Sequence, residues 1–335
     1  MNYAQRIHIL DPLRGLAALW VVLFHYSGSI LPTITPNALT GFFSYGYLGI
    51  HAFFVISGFV IPYSLGRLRY QFNHFGRFIL RRWVRIAPPA YLAALLVIAF
   101  NLLAIALTGK LPDNTTYPGL SPKAIFANLA FLVPYTHVEW YNFVYWTLTV
   151  EFEFYLVIGI IFPALVGKWK SWLQPLLILI ILLTSFIDGP GFFRFNSLFI
   201  LGLLLYLLQA KVIRPWLFAF LTVWACITCY SKEGPEAAIV AVITASVIMM
   251  YHGPIPKSIT WLGSISYSLY ITHVPTGYFA EAIVKRIFPL ELDGPMKIIF
   301  LFVYTGLSLF AAWIFYERVE KPCQRWSQAL RRNHS

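Results

Sequence analysis

Residues 86–108 read IAPPAYLAALLVIAFNLLAIALT and contain no charged side chain. A helix needs about 20 predominantly apolar residues to cross the hydrocarbon of a bilayer, and this run is long enough. Further stretches of the same kind lie at 13–31, 46–65, 146–167, 171–187, 195–210, 215–230, 237–252, 261–282 and 298–316. Pro, Gly and charged residues separate them. The fold class that follows is an all-α polytopic membrane protein with about ten transmembrane helices. A shorter semi-apolar stretch, 124–135, ends at Pro134. It reads as an outer re-entrant or interfacial segment, 124–145, because one more crossing would move every later loop to the other side.

Composition points the same way. Only 11% of the 335 residues are charged, while 59% are hydrophobic and 18% aromatic. Mean hydropathy is +0.69. A soluble domain carries roughly 25% charge. So few charges cannot cover a water-facing surface, which argues against a soluble single domain, a disordered chain and a disulfide scaffold. The three cysteines, Cys226, Cys229 and Cys323, make no disulfide framework. Cys226 and Cys229 form a CxxC inside an apolar run and read as packing residues. The net charge of +12 is topological and implies no nucleic-acid partner.

With the N-terminus in the cytoplasm, the inner segments collect most of the 25 Lys and Arg residues, as the positive-inside rule requires. Among them are Arg6, the run Arg67, Arg69, Arg77, Arg81, Arg82 and Arg85, then Lys168, Lys170, Lys211, Arg214, Lys257 and the tail arginines. The outer segment 32–45 has no charge. Both termini are therefore expected inside. The first stretch lacks a small-residue cleavage site and reads as an uncleaved helix. The chain reads as one membrane domain, 1–335, with a basic cytoplasmic loop at 66–85 and a cytoplasmic tail at 317–335.

Ionisable groups within lipid cost roughly 2.5–3.5 kcal/mol each on insertion scales and default to functional candidates. Here they are Arg14, His25, His51, Glu151, Glu153 and His273. The eleven residues from Arg14 to His25 make three helical turns plus about 20°, so the two share a face roughly 16 Å apart. An anion anchor near the inner mouth and an imidazole deeper in suit a path for an anionic substrate, since His is the side chain best placed to take a proton near neutral pH. The bland alternative is a snorkelling Arg and a His bonded to a neighbouring helix. Glu151 and Glu153 lie about 200° apart on a helix, so one cavity cannot receive both. A carboxylate in the interior can orient an imidazole or carry protons in a transporter. The Arg81-Arg82-x-x-Arg85 spacing suits bidentate phosphate binding, although a topological role needs no ligand. Pro88-Pro89 follows and fixes where the next span starts. The sequence has no GxGxxG, P-loop, HExxH or GxSxG motif, and its eight scattered histidines imply no metal.

These residues resemble the membrane-bound acyltransferase type 3 family, which includes many bacterial O-acetyltransferases. Arg14-x10-His25 matches its basic-x10-His signature, and GYLGIHAFFVISGF at 46–59 is similar to its second-helix motif. Arg82-x-x-Arg85 matches its cytoplasmic RxxR. WTLTVEFEFYL at 146–156 places Glu151 at its acidic position, with Glu153 where Gln is frequent. ISYSLYITHVP at 265–275 and YERVEKP at 316–322 resemble its late motifs. His51 stands where the family often has an acidic residue, so an acidic partner for His25 cannot come from the second helix.

The resemblance implies transfer of an acyl group, usually acetyl from acetyl-CoA, to a hydroxyl of a glycan or lipid-linked sugar at the cell inner membrane. It implies His25 as base or transient acyl carrier, with Glu151 orienting it or binding the sugar. Arg14, Arg82 and Arg85 would hold the acyl-CoA donor. Tyr267, Tyr270 and His273, with His51 and Glu153, are candidates for the acceptor side. Ser57 and Gly58 read as helix packing. The rival reading is a proton-coupled transporter using the same His and Glu as a relay, against which stands the lack of an evident inverted repeat.

Overall fold

The computed structural model describes residues 8–28, 38–112, 115, 117–167, 173–187, 191–287 and 294–332. Arg6, Lys168, Lys170 and part of the uncharged segment 32–45 lie outside them. All regular structure among the described residues is helical. In chain order the α-helices are α1 Leu10–Gly28, α2 Ala38–Phe43, α3 Leu48–Arg67, α4 Phe75–Thr108, α5 Pro122–Leu129, α6 Trp146–Val166 and α7 Leu173–Leu183. They continue as α8 Phe192–Gln209, α9 Pro215–Glu233, α10 Pro235–Met250, α11 Lys257–Ser264, α12 Ser266–Ile287, α13 Gly294–Phe315 and α14 Lys321–Arg332.

Among the described residues the apolar stretches are largely helical, and 261–282 divides between α11 and α12 at Ile265. Among the described residues, five helical stretches are long and apolar enough to cross a membrane: Gly41–Arg67, Phe72–Thr108, Phe143–Val166, Phe192–Gln209 and Pro295–Leu330. Their outer faces carry exposed Leu95, Leu103, Leu107, Ile160 and Phe310. Water would penalise such surface at about 25 cal/mol per Å², whereas lipid would not. The eight residues of α5 rise only about 12 Å, less than half of the hydrocarbon thickness.

The basic segment differs from expectation. Read as a loop over 66–85, it is helical to Arg67 at the end of α3 and again from Phe75, where α4 begins, with only a short turn and a 3-10 segment between. Arg77, Arg81, Arg82 and Arg85 are therefore helical, and the helix continues through Pro88 and Pro89. Two prolines in succession remove two backbone donors from the ladder, yet the helix is unbroken there.

Contacts divide the chain into two compact units. The first comprises Met1–Arg14, Ile50–Leu80 and Thr147–Gly263. At its centre α3 and α8 meet backbone to backbone. A Cβ at Gly58 would fall on the Phe199 carbonyl, and one at Gly202 on the Val55 carbonyl. This is the close approach that small residues permit between membrane helices, as expected for Gly58. Phe54, Phe154 and Phe199 stack beside it. The second unit comprises Gly15–Gly49, Arg81–Trp146 and Ser264–Ser335. There Gly46 and Gly49 sit against the Trp20 and Ala17 carbonyls of α1, and α12 lies along α13.

Candidate active site

The second unit holds a buried pair of imidazoles. His25 lies near the C-terminal end of α1, a helix whose Pro12 sits in the first turn, where its missing N–H is harmless. The His25 ring is 5.2 Å from that of His273 on α12 and 5.0 Å, edge-on, from that of Phe143. Both histidines are buried. Neighbouring Tyr26 donates to the His273 carbonyl at 2.6 Å and meets Ser308 of α13 at 2.5 Å. One side chain thus ties α1, α12 and α13 together around the pair.

The geometry fixes the His273 tautomer. Its Nδ1 lies 2.6 Å from the Tyr270 carbonyl oxygen and 3.2 Å from that of Leu269. Carbonyl oxygens only accept, so Nδ1 carries the proton and Nε2 of the neutral ring carries the lone pair. That Nε2 is fully buried and has no hydrogen-bond partner among the described residues.

Two residues on, Pro275 interrupts the hydrogen-bond ladder of α12. Proline has no N–H, so the carbonyl four residues earlier, Ile271, loses its helical donor. Asn142 supplies one, its Nδ2 donating to the Ile271 oxygen at 3.0 Å. The Asn142 Oδ1 then points elsewhere, buried and also without a partner among the described residues. Asn142 precedes Phe143, the residue against His25. Sequence reading missed Asn142, although Pro275 is a visible sign that Ile271 needs a donor from outside its helix.

The remaining candidates on α12 have structural partners. Tyr267 donates to the Ile86 carbonyl at 2.7 Å, and Tyr270 to that of Val144 at 3.0 Å. Both hydroxyls tie helices together, the ordinary use of Tyr between packed helices. Arg81 is similarly engaged. Its Nε donates to the Ser327 carbonyl at 3.1 Å, and Ser327 Oγ donates back to the Arg81 carbonyl at 2.8 Å. Arg82 and Arg85, three apart on α4, share one side of that helix and are half-buried.

The first unit places the carboxylates. Glu151 accepts from Ser57 Oγ at 3.2 Å and from the Tyr155 hydroxyl one turn along. Glu153 faces elsewhere, as the 200° offset requires. Its carboxylate accepts the Phe192 N–H at 2.5 Å, meeting the positive N-terminal end of α8. Gly191, at φ +82°, lies so close that any side chain would strike that carboxylate.

His51 is buried, with Nε2 3.4 Å from Glu233, and Glu233 also accepts from Arg194 Nε at 2.7 Å. Burial alone would raise the Glu233 carboxyl, but the bonds from His51 and Arg194 and the Arg194 charge hold it below the usual carboxylate range. Glu233 and Arg194 escaped the sequence reading because their pairing is tertiary. Arg14, half-buried on the first half of α1, belongs to this unit.

A family model described as an acyltransferase domain matches residues 7–317. Acyltransferase MdmB of Streptomyces mycarofaciens is 29% identical over 153 residues, which cover 45% of this chain and 38% of that protein. Protein 2 in the picA locus of Rhizobium radiobacter is 29% identical over 138 residues, covering 39% of this chain and 68% of that one. The match therefore spans well under half the length of the first relative. No solved structure matches.

Proposed function

The chain belongs to the type 3 acyltransferase family, matched from residue 7 to 317, and from that premise we propose an integral membrane O-acyltransferase that moves acetyl from acetyl-CoA to a hydroxyl of a cell-envelope or exported glycan. It is an acyltransferase by family. The donor, the glycan acceptor and the inner membrane as its location are our reading, as are ten spans with both termini in the cytoplasm. The observation that carries the proposal is the buried His25 beside His273.

In this reading His25 removes the proton from the acceptor hydroxyl. The freed oxygen bonds to the thioester carbonyl carbon, the C–S bond breaks, and the proton passes to the departing thiolate. General-base help of this kind is worth about 10²–10⁴-fold, and co-positioning of the two substrates adds to it. Arg82 and Arg85 hold the nucleotide phosphates at the inner face; Arg14, in the first unit, is a further candidate for the donor. Arg81 is already committed to the Ser327 segment, which favours its two neighbours for that task. Glu151, held by Ser57 and Tyr155 in the first unit, is the carboxylate that the family resemblance nominates.

The test is purified protein in lipid nanodiscs with acetyl-CoA and an envelope glycan extract, read by free thiol release and by acetyl mass on the glycan. Thiol release coupled to glycan acetylation, lost in His25→Ala, is expected. A wild-type protein that leaves the thioester intact would refute the reading and favour a carrier.

A further inference from the structure

Two acceptor atoms of the second unit are buried and have no donor among the described residues. They are His273 Nε2, left with the lone pair because Nδ1 donates to the Tyr270 carbonyl, and Asn142 Oδ1, left over because Nδ2 donates to the Ile271 carbonyl. Both residues have 0% exposure. A buried polar atom without a partner is destabilising, and proteins keep few of them. Neither atom can be satisfied by rotating its own side chain, because each is fixed by the bond its other end makes. The His25 ring is 5.2 Å from that of His273 and 5.0 Å from that of Phe143, which follows Asn142 in the chain.

Both orphaned atoms are acceptors, and what satisfies them must bring donors. A thioester carbonyl or a phosphate brings only acceptors and cannot satisfy them. An alcohol brings an O–H donor, and a polyol brings two on adjacent carbons. We infer that Asn142 Oδ1 and His273 Nε2 each accept a hydrogen bond from a hydroxyl of the acyl acceptor, holding a polyhydroxylated, sugar-like molecule beside His25. This rests on the acyltransfer reading above and adds the residues that select its acceptor. Asn142 thereby serves twice, with one end repairing the Pro275 gap and the other binding substrate.

The test uses nanodisc-held protein, acetyl-CoA, and two membrane-partitioning alcohols, octyl β-glucoside and 1-octanol. Wild type should acetylate octyl glucoside in preference to octanol. His273→Phe keeps the ring volume and deletes the acceptor. Asn142→Leu is made together with Pro275→Ala, which returns a backbone donor to Ile271 and so protects the fold. Each variant should lose on octyl glucoside about tenfold more in kcat/KM than on octanol, one hydrogen bond's worth of discrimination, while acetyl-CoA affinity is kept. His273→Gln, which offers an amide oxygen, should recover part of the preference. An unchanged preference in both variants overturns the inference, as does wild type that acetylates octanol but not octyl glucoside. Wild type that consumes no thioester with either alcohol overturns the acyltransfer reading as well, so the two failures are distinguishable.

Discussion

The bond from Asn142 to Ile271 allows a quantitative test, because Pro275 is the reason it exists. In the wild-type helix the Ile271 carbonyl has no donor from residue 275, and Asn142 Nδ2 stands in at 3.0 Å, an ordinary N–H···O length. Asn142→Ala leaves that carbonyl buried and unpaired, at a cost of about 1–3 kcal/mol. In a Pro275→Ala background the new N–H of residue 275 can close the usual i to i−4 bond, so the same Asn142→Ala change should cost about 1–2 kcal/mol less. The four proteins of this double-mutant cycle can be unfolded from bicelles by sodium dodecyl sulfate and followed by tryptophan fluorescence. The quantity of interest is the coupling energy. Packing lost with the Asn side chain and strain relieved by removing Pro275 cancel in the cycle. If Asn142→Ala costs the same in both backgrounds to within about 0.5 kcal/mol, Asn142 is not the donor that Pro275 demands, and the argument built on its free oxygen fails too.

Other outcomes follow from the same geometry. His25→Ala should fold and lose about 10²–10⁴-fold in acyl transfer, measured by thiol release at saturating acetyl-CoA. Arg82→Ala with Arg85→Ala should weaken acetyl-CoA binding in a calorimetric titration, whereas unchanged affinity returns that stretch to a purely topological role. Gly58→Ala pushes a methyl onto the Phe199 carbonyl and should cost about 1–3 kcal/mol. Gly76→Ala, which meets nothing within 4 Å, should be neutral or stabilising by up to about 1 kcal/mol. Glu233 lies beyond the apolar stretch 215–230, and its carboxyl is held below its ordinary value of 4.5. Its contribution to stability is complete above that value and fades as pH falls through the lower folded value. Glu233→Gln should therefore flatten the acid limb of a pH–stability curve, and an unaltered limb would show that the carboxylate does not stabilise the fold.

How much was legible in advance can be argued residue by residue. Apolar length marks the long helices, because a lipid-crossing segment must satisfy its own backbone and that demand leaves a long uncharged run in the sequence, but it does not mark short helices such as α2, α11 and α14. α4 starts at Phe75, eleven residues ahead of the apolar stretch 86–108. Pro88-Pro89 reads as a boundary in isolation, but the helix passes through it, with Tyr267 and Tyr145 donating to the Ile86 and Ala90 carbonyls on either side. Arg14 and His25 stood out because charge is expensive in lipid. Asn142, Glu233 and Arg194 did not, because an amide is ordinary and an ion pair separated by 39 residues leaves no local pattern. The 200° offset between Glu151 and Glu153 did carry through, with one bonded to Ser57 and the other seated on the end of α8.

The carboxylate of Glu320, within the π-helical turn Tyr316–Glu320, has a practical consequence for anyone handling this protein. It is buried, accepts the Ser268 N–H at 3.1 Å and the Ser268 hydroxyl at 2.5 Å, and takes a further bond from Gln324 at 2.8 Å. It therefore clamps the first turn of the helix that bears His273. An affinity tag or reporter spliced between residues 316 and 324 would be expected to give a protein that reaches the membrane yet does no chemistry. Such a dead fusion would report a slackened clamp rather than a substrate contact in the tail.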